Sequence, residues 1–401
     1  MRCLVGLDDT DSSRGHCTTY LAYRIAVDLV PLVNVLPYPR LVRLNPNIPF
    51  KTRGNAAVCL QVETTDPEKA FERIRAKVSE LSDVEGGANS GLVFLDDASR
   101  AASLRPLYLD ALSGVVNPHR ARGVLAQYGA RTFELGNGMG VVGAASALAF
   151  DETFDHSYEI IAYRGSKFWG TSRPVDSASV KRMDRVTWPH TFNNYDYQKR
   201  KVLIAPHGPD PVLFGIRGDS PSVVCEAHAL VSCEEPEEGH MVYLSNQHTD
   251  AHLERRLDWK VYSAGWAMGR VVSPRSGPGG HVYFSLRSGG NDHACAVYEP
   301  TGDLRRVARR LRQGDLLKVC GGVRRPTASH RAVLNVEKLE VLRLTAGPRD
   351  RLARGTYISS PRANRHLTKP LIRYGRELAG RPSEVVPEWI VSASTETKVL
   401  A

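Results

Sequence analysis

The 401-residue chain has no uninterrupted apolar run of ~18 residues, the length a helix needs to cross a bilayer, so no membrane-spanning helix is expected. Its seven cysteines (Cys3, Cys17, Cys59, Cys225, Cys233, Cys295 and Cys320) form no CxxC pair, which argues against a zinc ribbon, and no zinc is expected. The odd number of thiols, several in apolar segments such as AAVCLQV and LLKVCGG, fits reduced core residues of a cytoplasmic protein. The opening MRCLVGLDDTD carries acids where a signal peptide would carry its apolar stretch, so export is not expected either. Acids are also in deficit: 43 Asp and Glu against 53 Lys and Arg leave a net charge of +10. A basic excess favours a polyanionic partner, because Lys and Arg release counterions from phosphates, but it does not choose between RNA, DNA and a membrane surface.

What is present reads as a globular chain of two to four domains, with 42% hydrophobic and 24% charged residues. Residues 2–7 (RCLVGL) read as a buried strand ending in acids, and Leu21, Ala22, Ile25, Ala26 and Leu29 share one helical face behind it. AAVCLQVET predicts a strand and PEKAFERIRAKVSEL a helix after Asp66-Pro67. RTFEL, a glycine-rich turn, an Ala-rich helix and the strand YEIIAYR follow. Near residue 200 a second unit begins, with KVLIAPH, VLFGIRG, the helical SPSVVCEAHALVS and HMVYLSN. Joined to the strand and helix of 55–82, it would make a ferredoxin-like βαββαβ sheet built from two stretches of chain. From about 257, five short alternating strands with a basic helix (TGDLRRVARRLRQG) between the third and fourth predict an OB-fold barrel. Residues 346–401 read as a loosely structured tail with ten cations against five acids. The fold class is therefore α+β and multidomain.

Three segments carry chemistry. Asp8, Asp9 and Asp11 place three carboxylates within four residues at a strand end, a repulsion that a hard cation such as Mg²⁺, or a proton, offsets. Capping by acids is the competing reading. Ser12-Ser13-Arg14-Gly15 then lead to Cys17-Thr18-Thr19 at a helix start, where N–H groups and hydroxyls suit an anion; Thr18 or Thr19 as a plain N-cap is compatible with that. The segment Arg43–Asn55 combines three cations (Arg43, Lys51, Arg53), three Asn and two Pro, a rigid cationic loop suited to clamping phosphates.

Gly138-Met139-Gly140-Val141-Val142-Gly143 matches the G-x-G-x-x-G pattern, but the strand before it is short and polar, which favours close helix packing over dinucleotide binding. Gly215-Ile216-Arg217-Gly218-Asp219-Ser220 reads as a small-ligand loop after a strand. In Asn246–His252, His248 and His252 at i, i+4 would share a helical face for a metal, yet no third ligand is evident and a hydrogen-bonding role is the stronger reading.

GLDDTDSSRGHCTTYLAYR, PRLVRLNPNIPFKTRGNAAV, YEIIAYR, Thr191–Asn194, PVLFGIRGDS, NQHTDAHL, GGHVYFSL and RHLTKPLIR, in this order, resemble the archaeal 2-agmatinylcytidine synthetases that act on the minor isoleucine tRNA. The resemblance covers about 1–345 and 357–373. It implies an atypical kinase-like domain, a ferredoxin-like domain, an OB-fold and a zinc ribbon. It also implies a ligase that uses ATP and Mg²⁺ to phosphorylate the C2 oxygen of the wobble cytidine in a CAU anticodon. The amine of agmatine then displaces phosphate, and ATP ends as AMP and two phosphates. By motif position, Asp8, Asp9 and Asp11 are the catalytic acids and Thr18 the autophosphorylated threonine. Arg14 and the cationic loop, through Arg43, Lys51, Arg53 and Asn55, are assigned to ATP and its phosphates. Gly215, Ile216, Arg217, Gly218 and Asp219 are assigned to agmatine, with Asp219 and backbone carbonyls accepting its guanidinium. Arg305, Arg306, Arg309, Arg310, Arg365, Lys369 and Arg373 are assigned to the tRNA.

One departure stands out: no cysteine lies beyond Cys320, so the ribbon's ligands are absent and the basic tail is the candidate substitute. The domains expected are 1–195 (kinase-like and ATP-binding, with 55–95 shared with the next), 196–256 (ferredoxin-like), 257–345 (OB-fold) and 346–401 (basic tail). The oligomeric state is left open. Two other functions compete: a non-catalytic OB-fold RNA-binding protein, and a small-molecule kinase or dinucleotide enzyme built on Gly138–Gly143.

Overall fold

The run RCLVGLD forms strand β1 (Arg2–Asp8), buried along nearly its whole length because both its faces are covered. Cys3, Val5 and Leu7 enter one hydrophobic core and Leu4 another, following the two-residue period of a strand. The computed structural model describes residues 1–51, 54–197, 199–299, 301–327, 331–345, 354, 357–359 and 388–392. After β1 come α1 (Thr18–Asp28), β2 (Asn34–Val35), β3 (Arg40–Arg43), β4 (Ala56–Glu63), α2 (Pro67–Leu81), β5 (Gly91–Leu95), α3 (Arg105–Ser113), α4 (Pro118–Gln127), β6 (Arg131–Glu134) and α5 (Val141–Ala147). Next are β7 (Ser157–Arg164), α6 (Ser177–Thr187), β8 (Thr191–Phe192), β9 (Tyr195–Asp196), β10 (Lys201–Val202), β11 (Val212–Gly218), α7 (Pro221–Ala229) and β12 (Glu237–Ser245). The last group is β13 (Ala264–Ser276), β14 (Val282–Ser288), β15 (Asn291–Val297), α8 (Asp303–Ala308), β16 (Leu316–Arg324), β17 (Val333–Arg343), β18 (Tyr357–Ser359) and β19 (Ile390–Ser392).

One sheet runs β6-β5-β1-β4-β3-β12-β7-β11-β8. Its two halves are joined where β12 runs parallel to β3, pairing Leu244 with Arg40 and Ser245 with Leu41. The apolar face read from the sequence of α1 is buried at all five positions. Helix α2 starts as its sequence requires, with the Asp66 carboxylate accepting from the Lys69 N–H at 3.0 Å and Pro67 in the first turn. Helices α1 and α2 cover one face of the sheet, α3 to α5 the other face of its first half, and α6 and α7 pack on β7, β11 and β12.

Three local expectations are corrected. The strand and helix of 55–82 do not complete the second unit: β4 pairs with β1 and β3, whereas β11 and β12 both pair with β7, and α6 and α7 are the helices that pack on them. The pattern of a strand followed by a helix is repeated so often here that periodicity alone could not choose among the repeats. Gly215–Gly218 is not a loop but the end of β11, paired on one side with β7 and partly on the other with β8. His248 and His252 share no helical face, because Asn246–His252 runs through left-handed turns at His248 and Asp250. His248 instead lies 3.3 Å from the Asn193 amide, and His252 Nε2 lies 3.1 Å from Glu337 Oε2.

The OB-fold is present as expected. Strands β13 to β17 are antiparallel neighbours, closed by a parallel pairing of β15 with β17, and α8 lies between the third and fourth strands. Leu304, Val307 and Ala308 of α8 fill the barrel core. His252–Glu337 and an adjacent ion pair of Asp250 with Lys338 dock the barrel onto the loop after β12. In the tail, β18 adds to β17 and β19 to β12, so its described pieces extend existing sheets. No helix among the described residues is long and apolar enough to cross a membrane.

Candidate active site

Asp8 closes β1 on the same side as Leu4 and Gly6, facing α5. A Cβ at Gly6 would stand 2.1 Å from the Ala144 carbonyl oxygen, and one at Gly143 would stand 1.8 Å from Asp8 Oδ2. Gly143 therefore serves the close approach of α5 to β1, and Gly140 the approach of the preceding turn to Gly91, Asn89 and Asp8, in agreement with the packing reading. Burial, then the neighbouring charge of Asp9, pushes the Asp8 carboxyl well above the usual range. Burial and Asp11 raise Asp9 to about 6, against the pull of hydrogen bonds from Asn89. Neighbouring acids, Asp9 and Asp11 for Asp8 and Asp11 for Asp9, add to the effect of burial in both cases. Asp9 takes a left-handed backbone (φ 55°), and its carbonyl accepts from Asn89 N at 3.1 Å and Ser90 Oγ at 3.2 Å.

The following loop is tied to Asp83. The Ser12 hydroxyl donates to it, and Arg14 binds it through Nε at 3.1 Å and through Nη2. Arg14 first, then Ser12, holds the Asp83 carboxyl well below the usual carboxylate range. Arg14, assigned from sequence to phosphate, thus has a protein partner that the sequence reading missed. At the start of α1 the cap position belongs to Cys17, with no side-chain cap bond, which corrects the capping reading of Thr18 and Thr19. The Thr18 hydroxyl lies 3.0 Å from that of Thr10, both buried. The Thr19 carbonyl accepts from Tyr163 at 2.9 Å and Tyr243 at 2.8 Å, so β7 and β12 hold the N-terminus of α1 from below.

Arg43 and Arg217, far apart in the chain, converge on Glu159 of β7. Arg217 Nη2 is 2.9 Å from Glu159 Oε1, and Arg43 Nη2 is 3.8 Å from Oε2. Arg43 is fixed further by Nε to Gln247 Oε1 at 2.9 Å, and its backbone N–H donates to Asn246 Oδ1 at 2.6 Å. Glu159 is 3% exposed, and its Oε2 accepts no hydrogen bond among the described residues. The sequence reading missed Glu159; the available signal was a lone acid inside the apolar run YEIIAYR. Asn55, also left-handed (φ 47°), donates to the Asn45 carbonyl at 2.6 Å and shapes the cationic loop. Lys51 is half-buried in that loop; Arg53 lies outside the described residues.

Asp219 follows β11 with its carboxylate 3.2 Å from His190 Nδ1. The backbone of Gly215, Ile216, Arg217 and Gly218 is engaged in strand pairing, and Ile216 is fully buried. On the barrel, Arg306, Arg309 and Arg310 are exposed, while Arg305 pairs with Glu299. Arg365, Lys369 and Arg373 lie outside the described residues.

A family model for the TiaS TCKD domain matches residues 4–137, and one for the TiaS FLD domain matches residues 138–252. The chain is similar to TiaS of Cenarchaeum symbiosum, the 2-agmatinylcytidine synthetase of the minor isoleucine tRNA, with 42% identity over 348 residues covering 86% of this chain and 77% of that protein. It is 35% identical to TiaS of Methanosarcina mazei, named for the same synthetase activity, over 427 residues covering 93% of this chain and 98% of that one. Among solved structures, the complex of TiaS with its isoleucine tRNA, AMPCPP and agmatine superposes with a TM-score of 0.82 at 33% identity, covering 95% of this chain and 99% of that one.

Proposed function

This chain belongs to the TiaS family, the 2-agmatinylcytidine synthetases of the minor isoleucine tRNA, and on that premise we propose that it uses ATP to attach agmatine to the wobble cytidine of a CAU-anticodon isoleucine tRNA. Cytosine C2 is a poor electrophile because its oxygen leaves badly. A phosphoryl group passed from ATP to that oxygen makes it a leaving group, the primary amine of agmatine attacks C2 and loses a proton, and phosphate departs. That transfer leaves ADP; because ATP ends as AMP and two phosphates, water cleaves the remaining phosphoanhydride and releases the second phosphate.

The observation that carries the catalytic assignment is the carboxylate cluster at the end of β1, where Asp8 and Asp9 lie together with Asp11, and burial and the neighbouring acids raise the pKa of both Asp8 and Asp9. Such crowding fits a hard divalent cation, and Asp8, Asp9 and Asp11 are the residues that would hold Mg²⁺. Bound there, Mg²⁺ neutralises charge on the ATP phosphates. Thr18 presents its hydroxyl to the γ-phosphate, with Thr10 fixing its direction. Arg14, Arg43, Lys51, Arg53 and Asn55 line the phosphate path, and Glu159 sets the positions of Arg43 and Arg217. Asp219, with the end of β11 (Gly215, Ile216, Arg217, Gly218), faces the guanidinium of agmatine. Arg305, Arg306, Arg309 and Arg310 of the barrel, with Arg365, Lys369 and Arg373 of the tail, meet tRNA phosphates. The reaction belongs to the cytoplasm, where tRNA is the substrate and the seven thiols, all free, stay reduced.

Incubation with labelled agmatine, ATP, Mg²⁺ and a CAU-anticodon isoleucine tRNA transcript tests this. Label should enter the tRNA only when ATP is present, and ATP should turn over only with tRNA. ATP turnover without tRNA would favour a small-molecule kinase, and tRNA binding with no ATP turnover would favour a non-catalytic RNA-binding protein.

A further inference from the structure

We propose that His228, Glu237 and His240 form a binding site for a divalent transition metal ion, best suited to Zn²⁺. The three ligand atoms lie within 4.8 Å of one another, the one such His/Cys/Asp/Glu group found among the described residues. His228 Nε2 is 2.8 Å from Glu237 Oε2, and His240 Nδ1 is 2.7 Å from Glu237 Oε1. The two imidazole rings stand 4.4 Å apart. None of these residues takes part in the reaction described above.

The backbone is bent to make this cluster. In a regular strand, residues three apart point to opposite faces, so Glu237 and His240 of β12 would be separated by the sheet. The ladder between β12 and β7 shifts register between Glu237 and Gly239, and Gly239 takes a φ of 154°. A bulge of this kind inserts one residue and re-aims the side chain before it. It brings Glu237 to the side of His240. Further along β12, Met241 and Tyr243 enter the core under α1, and Val242 enters the core under α7. His240 therefore faces α7, which supplies His228 from its last turn.

The surroundings suit an exchangeable ion. The side chains of His228, Glu237 and His240 are 18%, 25% and 13% exposed, open enough for entry and closed enough to hold their geometry. The Phe214 ring lies 5.4 Å from that of His228 and forms an apolar wall. Two imidazole nitrogens and one carboxylate oxygen are a Zn²⁺ donor set that leaves one position for water. Mg²⁺ prefers oxygen ligands alone, so this cluster and the acids of β1 sort two kinds of ion by donor type. Metal–ligand bonds of ~2.0–2.1 Å need the present nitrogen–oxygen distances to open by only roughly half an ångström. The lack of CxxC pairs argued against zinc only as a thiolate ribbon. An ion here would pin α7 to β12 beside β19, whose Val391 pairs with His240.

The test uses the full chain, stripped with a chelator and kept in excess Mg²⁺ to load the acid loop. Zn²⁺ is titrated in competition with a chromophoric chelator, and Co²⁺ is followed by its visible absorption. One Zn²⁺ per chain should bind, and His228→Gln, Glu237→Gln and His240→Gln should each weaken it by roughly tenfold or more while leaving tRNA modification in Mg²⁺ intact. Wild-type Co²⁺ should give the intense bands of a low-coordinate, nitrogen-containing site, a readout that depends on no variant folding. No zinc uptake, a weak Co²⁺ spectrum of all-oxygen type, or uptake unchanged in the His228→Gln/His240→Gln protein would overturn the proposal; the cluster would then be a hydrogen-bond network only.

Discussion

Arg217 faces Glu159 directly across the β11–β7 ladder and closes an ion pair of 2.9 Å with it inside the sheet. Glu159 is buried and Arg43 approaches its other oxygen, so one carboxylate holds two guanidinium groups that would otherwise repel. Removing one partner of a buried pair typically costs about 3–5 kcal/mol, because the remaining charges keep their desolvation without compensation. Glu159→Gln should therefore lower the urea midpoint clearly and raise the KM for ATP. A midpoint equal to that of the wild type would mean that solvent, not Glu159, balances the two arginines.

The tie between Asp83 and Arg14 predicts a pH signature. Arg14 and Ser12 depress the folded-state pKa of Asp83 below the ordinary value near ~3.9. The folded state thus binds fewer protons than the unfolded one just below that value. The contribution is complete above it and lost as pH falls through the depressed value. Asp83→Asn should destabilise the protein at pH 7, and the difference from wild type should shrink in strong acid. Denaturation curves at several pH values measure this; a difference independent of pH would remove Arg14–Asp83 as its source.

Thr18 and Thr19 are adjacent but differently placed. The Thr18 hydroxyl meets Thr10, whereas the carbonyl of Thr19 is the atom held by Tyr163 and Tyr243. Thr18→Ala should abolish phosphate incorporation from γ-labelled ATP, and Thr19→Ala should retain it. Asp9→Asn should lose most tRNA modification while its circular dichroism stays unchanged. Equal labelling of the two threonine variants would leave Thr18 with a packing role alone.

Gly143→Ala sets a methyl group against the Asp8 carboxylate, 1.8 Å from Oδ2 before relaxation. Overpacking of this kind costs roughly 1–3 kcal/mol, and here the shift falls on Asp8, one of the acids proposed to hold Mg²⁺. Activity should drop by more than the stability change explains. Gly123→Ala, where a Cβ meets nothing within 4 Å, serves as the control and should behave as wild type. Full activity in Gly143→Ala would show that Asp8 tolerates displacement.

The sequence by itself determined what is local. A strand ending in three acids, a helix with one apolar face, a Pro after an Asp cap and five alternating strands with a basic helix are decided by periodicity and turn chemistry within a few residues. The acid cluster and Thr18 were legible for that reason: all lie within eleven residues of one another. Tertiary structure decided what depends on which strand lies beside which. The sequence offered several equivalent strand–helix repeats, and only side-by-side burial in the sheet selected β7 rather than β4 as neighbour of β11. That selection brought Arg43, Glu159 and Arg217 together. A bulge in β12, invisible to a two-residue period, turned Glu237 toward His240 and His228. Alternation says which face a side chain takes, but the partner across that face is set by packing between segments far apart in the chain.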